Sequence, residues 1–340
     1  MALKNTVLVL TQQLDFHADL VIAELNRRFV PVVRFDTADF PLRATLIARS
    51  QAGSWVGAIE APNRSIDFDQ IASIWYRRPT PFELDPTLSP SGQQFASAEA
   101  RMAIGGLLRS VDCLWVNHPE KMVTADYKPF QLKVAGDCGL AIPTSLITND
   151  PGAVLDFFER CKGEMIYKTL SGGMIVSEGG EIVSMYTSRV TQDDLRDEGN
   201  RVRYTACLFQ ELVPKKVELR ITVVGEHVFP AEISYAHAER AVVDWRTAYQ
   251  DLRYGIHQLP QEIHHKCLAL VHKLGLRFAA IDMIVIMYNQ KSTPLTSKIL
   301  LNVRYSVLSY VQPIEICHRT LQRTSNPRRR PQHARRSIHD

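Results

Sequence analysis

Five polar elements, most of them in the second half of the chain, carry residue types that together suit a nucleoside triphosphate held between two sheets. Lys168 follows the apolar run Met165-Ile166-Tyr167 and precedes Ser171-Gly172-Gly173. Glycines let backbone N–H groups approach phosphate oxygens closely, and a lysine neutralises their charge. Lys128, near a helix start, supplies a second ammonium. In Phe209-Gln210-Glu211-Leu212-Val213-Pro214, two polar residues close an apolar strand beside a proline. At a hinge between lobes, Gln210 and Glu211 can present backbone groups and a carboxylate to a flat heterocycle. Glu218 and Arg220 alternate with Leu219, Ile221 and Val223, so both leave the same strand face. A carboxylate there suits ribose hydroxyls, and a guanidinium suits phosphate. Asp282 lies inside Phe278-Ala279-Ala280-Ile281-Asp282-Met283, where an unpaired charge is costly. It needs a donor or a cation, and magnesium brought by phosphates fits, because Mg²⁺ takes one or two carboxylates plus phosphate oxygens.

Each element also has a plainer reading. A lysine before a glycine turn suits an ordinary surface, and Gln210-Glu211 suits a solvated strand end. Glu218 and Arg220 suit a cross-strand ion pair, and Asp282 a buried carboxylate bonded to backbone. Their order along the chain is what points jointly to a nucleotide.

The elements that must position these residues follow from hydrophobic period. Val7 to Leu10 reads as a buried strand, Ala18 to Arg28 as a helix and Val30 to Phe35 as a second strand, an order that implies a parallel sheet covered by helices. Strands over 54–59 and 71–76, a helix over 93–108 and a strand over 113–116 complete an α/β domain of residues 1–120. A second region, 121–286, opens with a helix from Lys128 to Cys138 that Gly139 closes. Asp150 and Pro151 cap the next helix. Strands are expected over 164–167, 181–186, 207–212, 217–224, 227–233 and 278–286. Thr191 to Arg203 reads as a short helix and exposed loop. Ile263, Cys267, Leu270, Val271 and Leu274 fall on one face of a helix over 260–274.

At 340 residues the chain exceeds one average domain of roughly 100–200 residues. Its six cysteines have no Cys-x-x-Cys spacing, which favours neither a zinc site nor a disulfide framework and fits a reduced cytoplasmic compartment. The first residues carry too short an apolar run for a signal peptide, and no run of about 18 apolar residues follows, so no membrane contact is expected. Charge is uneven: residues 287–340 hold ten Lys/Arg against two Asp/Glu, and the remainder 30 against 34. Arg328-Arg329-Arg330 lacks interleaved aromatics and any readable nucleic-acid motif, so a solvated tail is expected rather than nucleic-acid binding.

From about Val7 to Ile286 the chain resembles the ATP-grasp enzymes, and among them the microviridin-type ribosomal peptide maturases, or graspetide synthetases. In the first domain the resemblance rests on Arg34-Phe35-Asp36-Thr37, Asp39-Phe40-Pro41 and Ile74-Trp75-Tyr76-Arg77-Arg78-Pro79. In the second it rests on Phe209-Gln210-Glu211, Glu218-Leu219-Arg220-Ile221-Thr222, Asp244-Trp245-Arg246 and Ala280-Ile281-Asp282-Met283. It implies an ATP-grasp fold with an N-terminal pre-ATP-grasp α/β domain. It also implies a reaction using ATP and Mg²⁺. An Asp or Glu side chain of a ribosomal precursor peptide becomes an acyl phosphate, which a Thr or Ser hydroxyl or a Lys amine of the same peptide attacks.

By the same resemblance Lys128, Lys168 and the Ser171-Gly172 loop hold phosphates, Gln210 and Glu211 form the adenine hinge, and Glu218 takes the ribose. Arg220 stabilises the phosphoryl group in transfer, Asp282 binds magnesium, and Arg246 holds the substrate carboxylate. Such enzymes recognise a leader segment apart from the core they modify. Asp193, Asp194, Asp197 and Glu198 are candidates to pair with a leader arginine, and a solvated acidic helix is their other reading. Whether two chains form a homodimer stays open.

The resemblance stops late. Family members follow the metal aspartate with Glu-Ile-Asn-Pro and a Gly-Gln pair, whereas the best alignment here is Ile299-Leu300-Leu301-Asn302-Val303. Leu300 stands where the glutamate belongs and cannot coordinate a metal; Asn302 remains as a ligand candidate. The segment 287–340 reads as a late frame shift or as divergence. Two functions follow: an ATP-dependent peptide ligase, and a catalytically impaired relative that binds precursor peptide or nucleotide without turnover.

Overall fold

The computed structural model describes residues 4–177, 180–235, 243, 252–286 and 302–304. Arg246 and Leu300 lie outside them, as does most of the segment 287–340.

The first domain runs β1 (Thr6–Thr11), α1 (Phe16–Arg27), β2 (Val32–Phe35), β3 (Thr45–Gln51), β4 (Ser54–Ala61), β5 (Arg64–Asp67), β6 (Ile71–Arg78), α2 (Pro90–Ser110) and β7 (Leu114–Val116). Strands β2, β1, β6 and β7 form the expected parallel sheet in that order. Leu8 and Leu10 of β1, Phe35 and Ile74 build its core with Ile104, Leu107 and Leu108 of α2. An antiparallel sheet, β3-β4-β5, was only partly expected, since β4 alone has a strand-like run. Strand β3 is largely exposed and β5 is four residues long, so neither carries a clear period of two.

Several residues that carry the family resemblance lock this domain together. The Asp15 carboxylate, which also caps α1, accepts from Arg77 Nε at 2.7 Å and Nη2 at 3.0 Å and from Thr11 Oγ1 at 2.7 Å. Burial alone would raise that carboxyl, but the Arg77 and Thr11 bonds outweigh it and hold it at about 2. Asp39 accepts from Arg43 at 2.9 Å and Arg64 at 2.8 Å, and Asp36 accepts from the Thr80 N–H at 2.9 Å.

The second region begins with α3 (Pro119–Asp126) and α4 (Lys128–Asp137), the latter closed at Gly139, whose φ is +72°. Helix α3 spans two turns, too few for its period to stand out in sequence. After them come β8 (Ser145–Thr148), α5 (Pro151–Arg160), β9 (Met165–Lys168), β10 (Met174–Val176), β11 (Ile182–Ser184), β12 (Ser188–Val190), α6 (Gln192–Glu198) and β13 (Cys207–Glu211). Asp150 caps α5 as expected, accepting from the Gly152 N–H at 3.0 Å. Strands β12, β9, β13 and β8 form an antiparallel sheet under α5, and β10 and β11 form a separate hairpin.

A five-stranded antiparallel sheet follows, ordered β16-β15-β14-β17-β18, from β14 (Lys215–Val224), β15 (His227–Tyr235), β16 (Leu252–Ile256), α7 (Gln261–Lys273), β17 (Phe278–Ile286) and β18 (Asn302–Arg304). One face, with Leu219, Ile221, Val223, Ile281 and Met283, packs on Cys267, Leu270 and Val271 of α7 and on Met122 and Val134 of α3 and α4. The two regions are joined by buried Asn117, which follows β7 and bonds the start of β17. Among the described residues no helix is long and apolar enough to cross a membrane.

Candidate active site

The nucleotide candidates fall on two sheets connected by the short segment from Leu212 to Pro214. On the first sheet, Lys168 is the last residue of β9, paired in register with Leu208 of β13. Lys128, in the first turn of α4, donates from Nζ to the carbonyls of Leu170 at 2.7 Å and Ser171 at 3.1 Å. Lys128 therefore braces the loop that follows Lys168. Gly173 has φ +73°, and a Cβ there would meet the Met185 carbonyl at 2.7 Å, so the tight turn requires glycine. A Cβ on Gly172 would meet nothing within 4 Å, which leaves open space beside the loop backbone.

At the hinge, Gln210 is buried and donates from Nε2 to Ser145 Oγ at 2.9 Å. The Glu211 carboxylate accepts from the Thr144 N–H at 3.1 Å, and the Glu211 N–H donates to the Thr144 carbonyl at 3.0 Å. Both side chains thus brace β13 against the chain leading into β8. Ser145 and Thr144 carried no sequence signal, because their role depends on a pairing 65 residues away along the chain.

On the second sheet, Glu218 and Arg220 leave the face opposite the α7 core, as their alternation requires. Register pairs Arg220 with Asp282, and Arg220 Nη1 donates to Asp282 Oδ1 at 2.7 Å, each side chain 18% exposed. The donor that half-buried Asp282 needs is this guanidinium. On the other flank of β17, Asn302 is the register partner of Asp282, so Arg220, Asp282 and Asn302 stand in one row across β14, β17 and β18. Glu218 is paired with Lys215 at 2.5 Å, three residues before it, a spacing readable in sequence but not singled out.

Among the described residues, no three or more His, Cys, Asp or Glu side chains gather as a metal cage. The Asp282 carboxylate, with Asn302 as its register neighbour, fits a magnesium ion that arrives on phosphates, since such an ion keeps most of its ligands from phosphate and water. Burial pushes the thiols of Cys113 and Cys267 up to about 11 and about 12, so these two stay protonated at neutral pH.

The acidic candidates lie on α6 and are largely satisfied internally. Asp194 completes a capping box with Thr191, and Arg196 pairs with Asp193 at 2.9 Å and Asp197 at 3.1 Å. Glu198 pairs with Arg201 at 3.0 Å.

Residues 6–123 match the MvdD pre-ATP grasp domain. No curated protein matches the chain. Among solved structures, the chain is similar to the macrocyclase MdnC of Microcystis aeruginosa MRC, bound with the precursor peptide MdnA. The two are 28% identical over 88% of this chain and 91% of that one, with a TM-score of 0.75. It is also similar to a RiPP-associated ATP-grasp ligase of Chryseobacterium gregarium, in complex with ADP and a leader and core peptide, at 28% identity over 89% of each chain and a TM-score of 0.78. The ATP-grasp ligase PsnB, complexed with minimal precursor, Mg and ADP, is 22% identical over 94% of this chain and 97% of that one, with a TM-score of 0.66; at that identity the likeness is one of fold. The expected class, an α/β ATP-grasp fold behind a pre-ATP-grasp domain, is borne out.

Proposed function

We infer that this chain, a graspetide synthetase by its pre-ATP-grasp domain and its likeness to ribosomal-peptide ligases, crosslinks side chains within a precursor peptide at the expense of ATP. The γ-phosphoryl group of ATP passes to an Asp or Glu carboxylate of the peptide, leaving ADP. A Thr or Ser hydroxyl or a Lys amine of the same peptide then attacks the acyl carbon, phosphate leaves, and an ester or amide closes the ring. The observation that carries this reading is the Arg220–Asp282 pair on the face of the second sheet opposite α7, with Asn302 next to Asp282 in register.

In this reading Lys128, Lys168 and the Ser171-Gly172 backbone bind phosphates. Glu218, steadied by Lys215, takes the ribose, and the hinge after Gln210-Glu211 takes the adenine. Arg220 exchanges one anionic partner, Asp282, for phosphoryl oxygens, and its fixed fork suits the spreading charge of phosphoryl transfer. Asp282 and Asn302 would hold magnesium, which neutralises phosphate charge when bound. The work of the residues is positioning and charge stabilisation. Arg246 is the candidate for the substrate carboxylate. A leader arginine would compete with Arg196 for Asp193 and Asp197.

The test incubates purified protein with ATP, Mg²⁺ and a precursor peptide. Loss of one water per ring by mass spectrometry is expected, accompanied by ADP. Peptide binding without mass loss would instead establish the impaired relative, the reading favoured by the single carboxylate of the described metal row. The same assay with Arg246→Ala, and leader binding with Asp193→Asn plus Asp197→Asn, separates those assignments: unchanged crosslinking or unchanged leader affinity removes them.

A further inference from the structure

Asn117 belongs to none of the nucleotide-site elements, yet it makes three hydrogen bonds to the start of the strand that carries Asp282. Its Oδ1 accepts from the N–H groups of Arg277 at 2.8 Å and Phe278 at 2.9 Å, and its Nδ2 donates to the Phe278 carbonyl at 2.7 Å. The residue is 2% exposed, so this buried amide is fully engaged with backbone. Phe278 opens β17, and its register with Val224 is continuous with that of Asp282 and Arg220. The Arg277 carbonyl also accepts from the Gly225 N–H at 2.7 Å, so the turn between β14 and β15 is fixed at the same point.

In the other direction Asn117 leads directly to the helix pair that carries Lys128. His118 caps α3, its Nδ1 accepting from the Glu120 N–H at 3.4 Å. Lys121 of α3 lies over Gly275, where a Cβ would meet its Cδ at 3.0 Å, so α3 is seated on the turn between α7 and β17. One buried side chain therefore stands where the routes to the Lys128 ammonium and the Asp282 carboxylate diverge.

We propose that Asn117 is a positioning residue of the nucleotide site, holding the start of β17 against the start of α3 so that Asp282 and Lys128 keep one spacing. This role rests on the nucleotide reading given above. A purely structural tie predicts lost stability alone; a positioning role predicts a changed demand for the divalent cation.

The experiment measures ATP binding to the full chain calorimetrically at stepped Mg²⁺ concentrations, for wild type, Asn117→Ala and Asn117→Asp. The Asp variant keeps both accepted bonds and loses the donated one, and it decides the matter if the Ala variant does not fold. Half-saturating Mg²⁺ is expected to rise about 10- to 100-fold, as for the outer partners of metal ligands, while ADP binding without Mg²⁺ stays near wild type; the melting temperature of Asn117→Asp falls, because its carboxylate faces the Phe278 carbonyl, and binding is measured well below it. Variants with the wild-type Mg²⁺ demand, or with ADP binding weakened equally with and without Mg²⁺, overturn the proposal. Wild type that binds no ATP with Mg²⁺ sinks the nucleotide reading and this role together; wild-type binding with unshifted variants sinks this role alone.

Discussion

Arg220 and Asp282 show how far one residue's chemistry follows from its neighbours in sequence. A carboxylate inside Ala280-Ile281-Asp282-Met283 must find a donor or a cation, and that much is legible. That the partner is Arg220 depends on the register of β14 against β17, across 62 residues, which no local pattern specifies. Gln210 and Glu211 are the converse case. Their polarity at a strand end was visible, but their bonds to Ser145 and Thr144, which brace the hinge, were not. For Arg220 a substitution separates binding from chemistry. Arg220→Ala should lower the crosslinking rate at least about 10²-fold, as for loss of one donor to a charged transition state, while leader affinity stays unchanged. Arg220→Lys should not restore the rate, because an ammonium cannot replace a planar fork; single-turnover kinetics with the precursor reads both.

Elements were legible where they are long or buried on one face. Strand β17 and helix α7 were placed to within a residue or two because Leu270, Val271, Ile281 and Met283 repeat at the right periods. The β3-β4-β5 sheet was mostly invisible, since its outer face is wet and its strands lack alternation. Its integrity depends on a residue with no side chain. Gly57 has φ +141°, and a Cβ there would sit 2.0 Å from the Ile47 carbonyl oxygen. Gly57→Ala is expected to cost on the order of 2 kcal/mol or more, from left-handed strain and the clash together. Urea denaturation measures it, and a midpoint equal to wild type would refute the account.

For the whole molecule, the α/β order of the first domain was readable, but the joint between regions was not. Asn117 sits in Val116-Asn117-His118-Pro119, which carries no signal of this role; its partners lie 160 residues on. Acid stability also belongs to this scale. The Asp15 carboxyl is held at about 2, below its ordinary unfolded value of about 3.9. Its contribution is therefore complete above about pH 4 and is lost as pH falls toward about 2. Urea midpoints measured from pH 5 to pH 2 should fall through that window. Asp15→Asn should flatten the fall and cost about 3–5 kcal/mol at neutral pH, because Arg77 is left buried without its counter-ion.

The span of the Asn117 bonds has a consequence for how the chain is made. All the strands of the parallel sheet leave the ribosome before residue 117, and that sheet can pack while translation continues. The residues that Asn117 clasps emerge last among the well-patterned segments, so its amide waits with its donors and acceptor met only by water. A nascent chain arrested short of Phe278 should thus carry a folded first domain and no Arg220–Asp282 pair, and the clasp marks the moment in synthesis at which the two regions become one molecule.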